Sequence, residues 1–187
     1  MSGDVTRVMP ARERPEDGIA GMLANGLLFN ISWLAIVYSH SLILATAIAI
    51  SHLAVHFALL GYGMIEARLV FDVSLIGFLL DQCFFSAGIL TVAGESSFAP
   101  LWISCLWPVL ATTLMHLFSG LGRRPVLACA VGAVGGAGSY MLGTRLSDVE
   151  FASQFCGPII MAVSWAIIFP ALLAAAARPD CDQRDSS

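Results

Sequence analysis

Asp81 lies inside an apolar run that continues from Val73 to Ala93, with Asp72 and Glu95 the nearest other charged residues. In a bilayer core an ionisable group costs about 2.5–3.5 kcal/mol even on the lenient insertion scale, so such a carboxyl needs a partner, a proton or a cavity. Two kinds of chemistry fit. Asp81 could bind a ligand or accept a proton in an internal cavity, or it could be a structural carboxyl, protonated or hydrogen-bonded to another helix. Gln82 is its neighbour, and Gly77 and Phe85 flank it on the same helical face. Asp72 has a plainer explanation. It follows Arg68 by four residues near a helix end, where an interfacial ion pair or snorkelling accounts for it.

His52 and His56 are spaced so that both rings share one helix face, a spacing that suits a metal, and His116 falls at a similar depth in a later run. A catalytic zinc wants three ligands and ordered outer partners. Intramembrane histidines more often hydrogen-bond between helices, so the sequence predicts no metal and no cofactor. Asn25, Phe29 and Trp33 recur every four residues on one face, and Asn25 reads as interhelical glue. The candidate intramembrane polar site is Asp81, Gln82, Asn25, Trp107 and His116. Asp81 and His116 differ in expected depth by about 10 Å at 1.5 Å per residue, which argues against a direct catalytic pair.

Gly132 and Gly136 form a Gly-x-x-x-Gly pair, and with Gly135 they predict close helix packing. A phosphate-cradling loop fits poorly, because no strand precedes these glycines and no acidic residue follows at the right distance. No Ser-His-Asp order, nucleophile elbow or glycosidase-like carboxylate pair stands out, so no catalytic residue is assigned and enzymatic activity stays open. Five cysteines lack any Cys-x-x-Cys spacing, which makes a disulfide framework or Cys-type zinc site a poor fit.

The elements that carry these residues are set by composition. The chain has 187 residues, 58% hydrophobic and 12% charged. Soluble domains carry about 25% charged residues, so this excess of apolar residues belongs to a polytopic membrane protein. Apolar runs at 19–39, 41–60, 69–93, 99–121, 126–143 and 155–177 each approach the roughly 20 residues that cross a bilayer as a helix. The fold class is therefore all-α, a bundle of six transmembrane helices. Pro108 should kink the fourth helix around the turn before it, and Pro170 the sixth. With the N-terminus inside, eight arginines fall on the cytoplasmic side and only Arg145 outside, so both termini are predicted cytoplasmic. Residues 1–18 and 178–187 read as disordered cytoplasmic tails. The first apolar run is too long for a signal-peptide core, and no cleavable leader is expected. Basic patches for nucleic acid are missing, so no nucleic-acid partner is expected.

Several stretches together resemble a bacterial inner-membrane family known as domain of unknown function 2878. They are Asn25-x-x-x-Phe29-x-x-x-Trp33, Gly77–Asp81, Ala99-Pro-Leu-Trp102 through Leu106-Trp107-Pro108, Thr113-Leu114-x-His116, Gly135-Gly136 through Tyr140 and Gly143, and Trp165 through Pro170. The resemblance spans Asn25 to Ala177. Asn30 and Ala137 depart from it, standing where the family tends to have Gln and Pro. It implies a multi-pass location in the bacterial inner membrane and no established activity. The family's genes keep company with lipid-modifying enzymes of the cyclopropane-fatty-acid type, which implies an association with membrane lipids. An accessory protein that binds lipid or another membrane protein is the leading expectation. An intramembrane enzyme acting on a lipid, and a small transporter using Asp81 for proton coupling, are the alternatives.

Overall fold

The computed structural model describes residues 18–92 and 98–177. The tails with Arg7, Arg12, Arg14, Arg178 and Arg184, and the loop around Gly94, lie outside the described residues. In chain order the elements are α1 (Ile19–Ser39), α2 (Leu42–Leu59), α3 (Met64–Ser86), β1 (Leu90–Val92), α4 (Leu101–Ser104), α5 (Leu106–Leu114), a 3-10 turn (Ser119–Arg123), α6 (Pro125–Leu146), β2 (Val149–Phe151) and α7 (Cys156–Ala177). Five of them, α1, α2, α3, α6 and α7, are long and apolar enough to cross a membrane.

The fourth run departs from the expected single helix over 99–121. Pro108 has no N–H to offer the Ser104 carbonyl, and the helix breaks at Cys105 into α4 and α5. Together they cover about 21 Å at 1.5 Å per residue, short of the roughly 30 Å of hydrocarbon. Other boundaries shift for local reasons. The helix expected from Leu69 already begins at Met64, after Gly63 turns the chain with φ 77°. It ends at Ser86 instead of running to Ala93, because Gly88 takes φ 65°. The Gly88 and Ile89 N–H groups then cap the Phe85 and Phe84 carbonyls at 2.9 and 3.0 Å. The three residues after Ile89 become β1, which pairs antiparallel with β2 in the register Leu90↔Phe151 and Val92↔Val149. That ribbon ties the end of α3 to the start of α7. Pro125 opens α6 at its first position, where its missing N–H costs nothing.

Around an apolar core, the outer surface is apolar too, and several polar groups are buried inside. Ile43, Phe71, Val126, Val134 and Ile167 point outward and are exposed, while Asn25, Ser32, His52, His56, Glu66, Asp81, Thr112, Thr113 and His116 are buried. Between helices in lipid there is no hydrophobic drive, so packing and interhelical hydrogen bonds must hold them together. The α6–α7 contact is the most extensive of all. It exists because Gly132 and Gly136 admit Trp165: a Cβ at Gly132 would strike the Trp165 carbonyl, and one at Gly136 would strike its indole ring. Gly135 points away from this contact, and a Cβ there meets nothing within 4 Å.

Candidate functional site

Two separate polar networks occupy the interior, and the five residues singled out from the sequence divide between them. The first centres on Asp81, fully buried on α3. Trp107 of α5 donates its indole N–H to Asp81 Oδ2 at 2.7 Å, and Tyr140 of α6 donates its hydroxyl to Oδ1 at 3.1 Å. Three helices thus meet at one carboxyl. Gly77, one turn earlier on α3, makes this possible, since a Cβ there would overlap the Trp107 ring. The Trp107 ring in turn stacks on Trp165 of α7, with centroids 5.5 Å apart and planes 9° from parallel. Gln82 takes no part. Its side chain pairs with the Ala99 backbone, accepting from the N–H at 3.1 Å and donating to the carbonyl at 3.4 Å, which anchors the approach to α4. Asp72 is exposed on the outside of α3, unlike Asp81.

The second network lies at the other end of α3. Glu66, in that helix's first turn, is fully buried. Its Oε1 lies 2.8 Å from His56 Nε2 and 3.0 Å from His116 Nε2, and its Oε2 accepts the Tyr62 backbone N–H at 2.8 Å. Asn25 belongs here as well, donating Nδ2 to the Thr112 carbonyl at 3.2 Å and lying 3.4 Å from His56 Nδ1. His52 continues the chain. Its ring nitrogens meet Ser32 Oγ at 2.9 Å and Thr112 Oγ1 at 3.0 Å. The Thr112 hydroxyl donates to the Val109 carbonyl at 2.8 Å, so His52 Nε2 carries the proton in this arrangement and Nδ1 accepts from Ser32. Asp81 and His116 therefore belong to different networks.

Sequence reasoning missed Glu66 and Tyr140. Glu66 fell before the expected start of the third span, among residues read as loop. The signal that could have found it is the short link between α2 and α3: a chain that reverses at Gly61–Gly63 returns Glu66 to the level of His56. Tyr140 shares a helix with the glycines that drew attention, and no local pattern on α6 marks it as a donor to α3.

A cavity of about 340 Å³ opens beside the first network. It lies between α1 and α6, which barely touch, and Leu90 and Val149 of the ribbon are part of its lining. Phe29 and Trp33 of α1 face Gly135, Trp107, Tyr140 and Trp165 across it. The lining is overwhelmingly apolar. Trp165 Nε1 is buried and has no hydrogen-bond partner among the described residues. A buried donor left unmade costs about 1–3 kcal/mol, so a ligand acceptor at that position would relieve a deficit already present.

No curated protein and no solved structure matches the chain. One family profile does match, that of "Protein of unknown function (DUF2878)", over residues 22–171. This range holds both networks, the cavity and all seven helices except the ends of α1 and α7. The chain belongs to the DUF2878 family.

Proposed function

We propose that this multi-pass membrane protein is an accessory protein that binds the hydrophobic chain of a membrane lipid in the cavity between α1, α5, α6 and α7. The observation that carries this reading is the cavity itself: a largely apolar space that borders Trp107 and Tyr140, the two donors to Asp81, and Trp165, whose indole N–H has no acceptor among the described residues. Ligand sites are mostly apolar with a few placed polar groups, and this one has that composition. A link to membrane-lipid metabolism in a bacterial inner membrane is the setting that the family resemblance suggests. Lipid enzymology that pairs Asp81 with His116 has less support, since each is committed to its own network.

Filling the cavity tests the reading. Gly135→Leu places a side chain into the cavity without touching the α6–α7 contact, whereas Gly138→Leu adds the same bulk on a face with nothing within 4 Å and outside the cavity lining. Native mass spectrometry of detergent-purified protein should show co-purified lipid falling at least about fivefold in Gly135→Leu and holding steady in Gly138→Leu. Equal lipid occupancy in both variants sinks the proposal.

The same reading takes the broken fourth segment as a sixth crossing, with both termini in the cytoplasm. Its support is the antiparallel course of that segment along α3: Ala99 meets Gln82, Trp107 meets Asp81, and His116 meets Glu66. The arginine bias adds to it. Reporter fusions after Gly94 and after Gly122 should read exported and cytoplasmic respectively. An exported reporter at Gly122 rules the six-span arrangement out.

A further inference from the structure

The second network has the composition of a metal site, although the sequence, for all the histidines' metal-like spacing, predicted hydrogen bonds between helices instead. Three potential ligands arrive from three different elements: His56 from the last turn of α2, Glu66 from the first turn of α3, and His116 from just beyond α5. All three are buried, and one ligand atom from each lies within 4.8 Å of the others. Around a tetrahedral ion with bonds of about 2.0–2.2 Å, ligand atoms sit about 3.3–3.6 Å apart. The His56–Glu66 and His116–Glu66 separations of 2.8 and 3.0 Å are shorter than that, as hydrogen-bonded neighbours are, and the three atoms together lie within 4.8 Å, so small side-chain shifts would seat them around one ion.

The surroundings also fit. A metal-bound histidine usually donates its other ring N–H to an acceptor, which fixes the ring. His56 Nδ1 faces Asn25, whose Oδ1 is buried with no hydrogen-bond partner among the described residues. A turn of the amide presents that oxygen to Nδ1, at the cost of the 3.2 Å bond to the Thr112 carbonyl. On His116, the Tyr62 ring stacks at 4.7 Å and holds the imidazole plane. The Tyr62 backbone N–H occupies Glu66 Oε2, which leaves Oε1 as the ligand atom. His52 is excluded from the set, because Ser32 and Thr112 engage both of its nitrogens.

We propose that His56, Glu66 and His116 bind one divalent metal ion of the zinc class, which pins α2, α3 and the segment after α5 at one end of the bundle. Two imidazoles and one carboxylate suit zinc and its first-row neighbours better than magnesium or calcium, which prefer oxygen ligands. None of the three ligands lines the cavity, so the ion acts on how the helices are held at this end of the bundle and not on an occupant of the cavity.

The test uses tag-free, full-length protein in detergent, stripped with chelator and reloaded with Zn²⁺ or Co²⁺ alone. About one tightly held ion per chain is expected, with a tetrahedral Co²⁺ visible spectrum and a melting temperature that rises on Zn²⁺ addition and falls on chelation. Glu66→Gln should weaken binding at least about tenfold, while His52→Gln keeps one ion per chain. Folded wild-type protein that takes up neither ion, and whose melting temperature ignores both Zn²⁺ and chelator, overturns the proposal in favour of a hydrogen-bonded cluster only. So does a folded Glu66→Gln variant that binds as tightly as wild type. Should Glu66→Gln fail to fold, the wild-type loading and melting measurements decide alone.

Discussion

Asp81→Leu is expected to abolish accumulation of the protein in the membrane. The substitution leaves the Trp107 indole N–H and the Tyr140 hydroxyl without an acceptor in a buried site. At about 1–3 kcal/mol for each stranded donor, the loss is roughly 2–6 kcal/mol, a large part of what a membrane domain of this size can spare. Asp81→Asn should be milder and still fold. Its single amide oxygen can accept from one donor, while its NH₂ group confronts the other. Trp107→Phe removes one donor but keeps a ring to stack on Trp165, so Asp81→Asn combined with Trp107→Phe should cost less than the two changes summed. Unfolding measured in detergent, together with membrane levels on a blot, reads all four variants. Normal levels of Asp81→Leu would show that this carboxyl does not hold α3, α5 and α6 together.

Gly77→Ala is expected to be nearly as damaging, although it adds a single methyl group. That methyl would overlap the Trp107 ring, and two contacts resist the ring's retreat. Its N–H is held by Asp81 on one side, and its face is stacked on Trp165 on the other. Overpacking typically costs about 1–3 kcal/mol. Here the backbones of α3 and α5 must separate, which also stretches the 2.7 Å bond to Asp81. Gly77→Leu should not accumulate at all. Gly138→Ala is the matched control on α6, with open space around it, and should melt like wild type. The measurement is thermal unfolding of Gly77→Ala against Gly138→Ala in the same detergent; equal melting temperatures would remove Trp107 as the pivot of the α3–α5 contact.

Both predictions converge on a ring that the sequence placed in the candidate polar site without saying which residue it meets. Much else was legible. Hydropathy alone gives the helical elements and their order, because a chain in hydrocarbon can satisfy its backbone only as helix or closed barrel, and these runs show no period of two. A kink before Pro108 is legible too, as loss of one N–H is a local event, although the full break into α4 and α5 is not. Where local rules compete, the sequence says less. Whether α3 stops at Ser86 or continues to Ala93 depends on Gly88 adopting a positive φ and on β2, some sixty residues later, offering β1 a partner. The hydrophobicity of Ile89, Leu90 and Val92 suits either outcome.

The sequence by itself determined that Asp81, Asn25 and the histidines had to find partners inside the bundle, since an unpaired polar group in lipid is too costly to keep. Which partners they found was decided by the tertiary structure alone. Helical periodicity tells which residues share a face of one helix, but not how neighbouring helices are rotated against it. That rotation is set by contacts such as Trp107 in the notch at Gly77 and Trp165 against Gly132 and Gly136. Once these fix the angles, Tyr140 reaches Asp81 from fifty-nine positions away and His116 reaches Glu66 from fifty, pairings that no local pattern could encode.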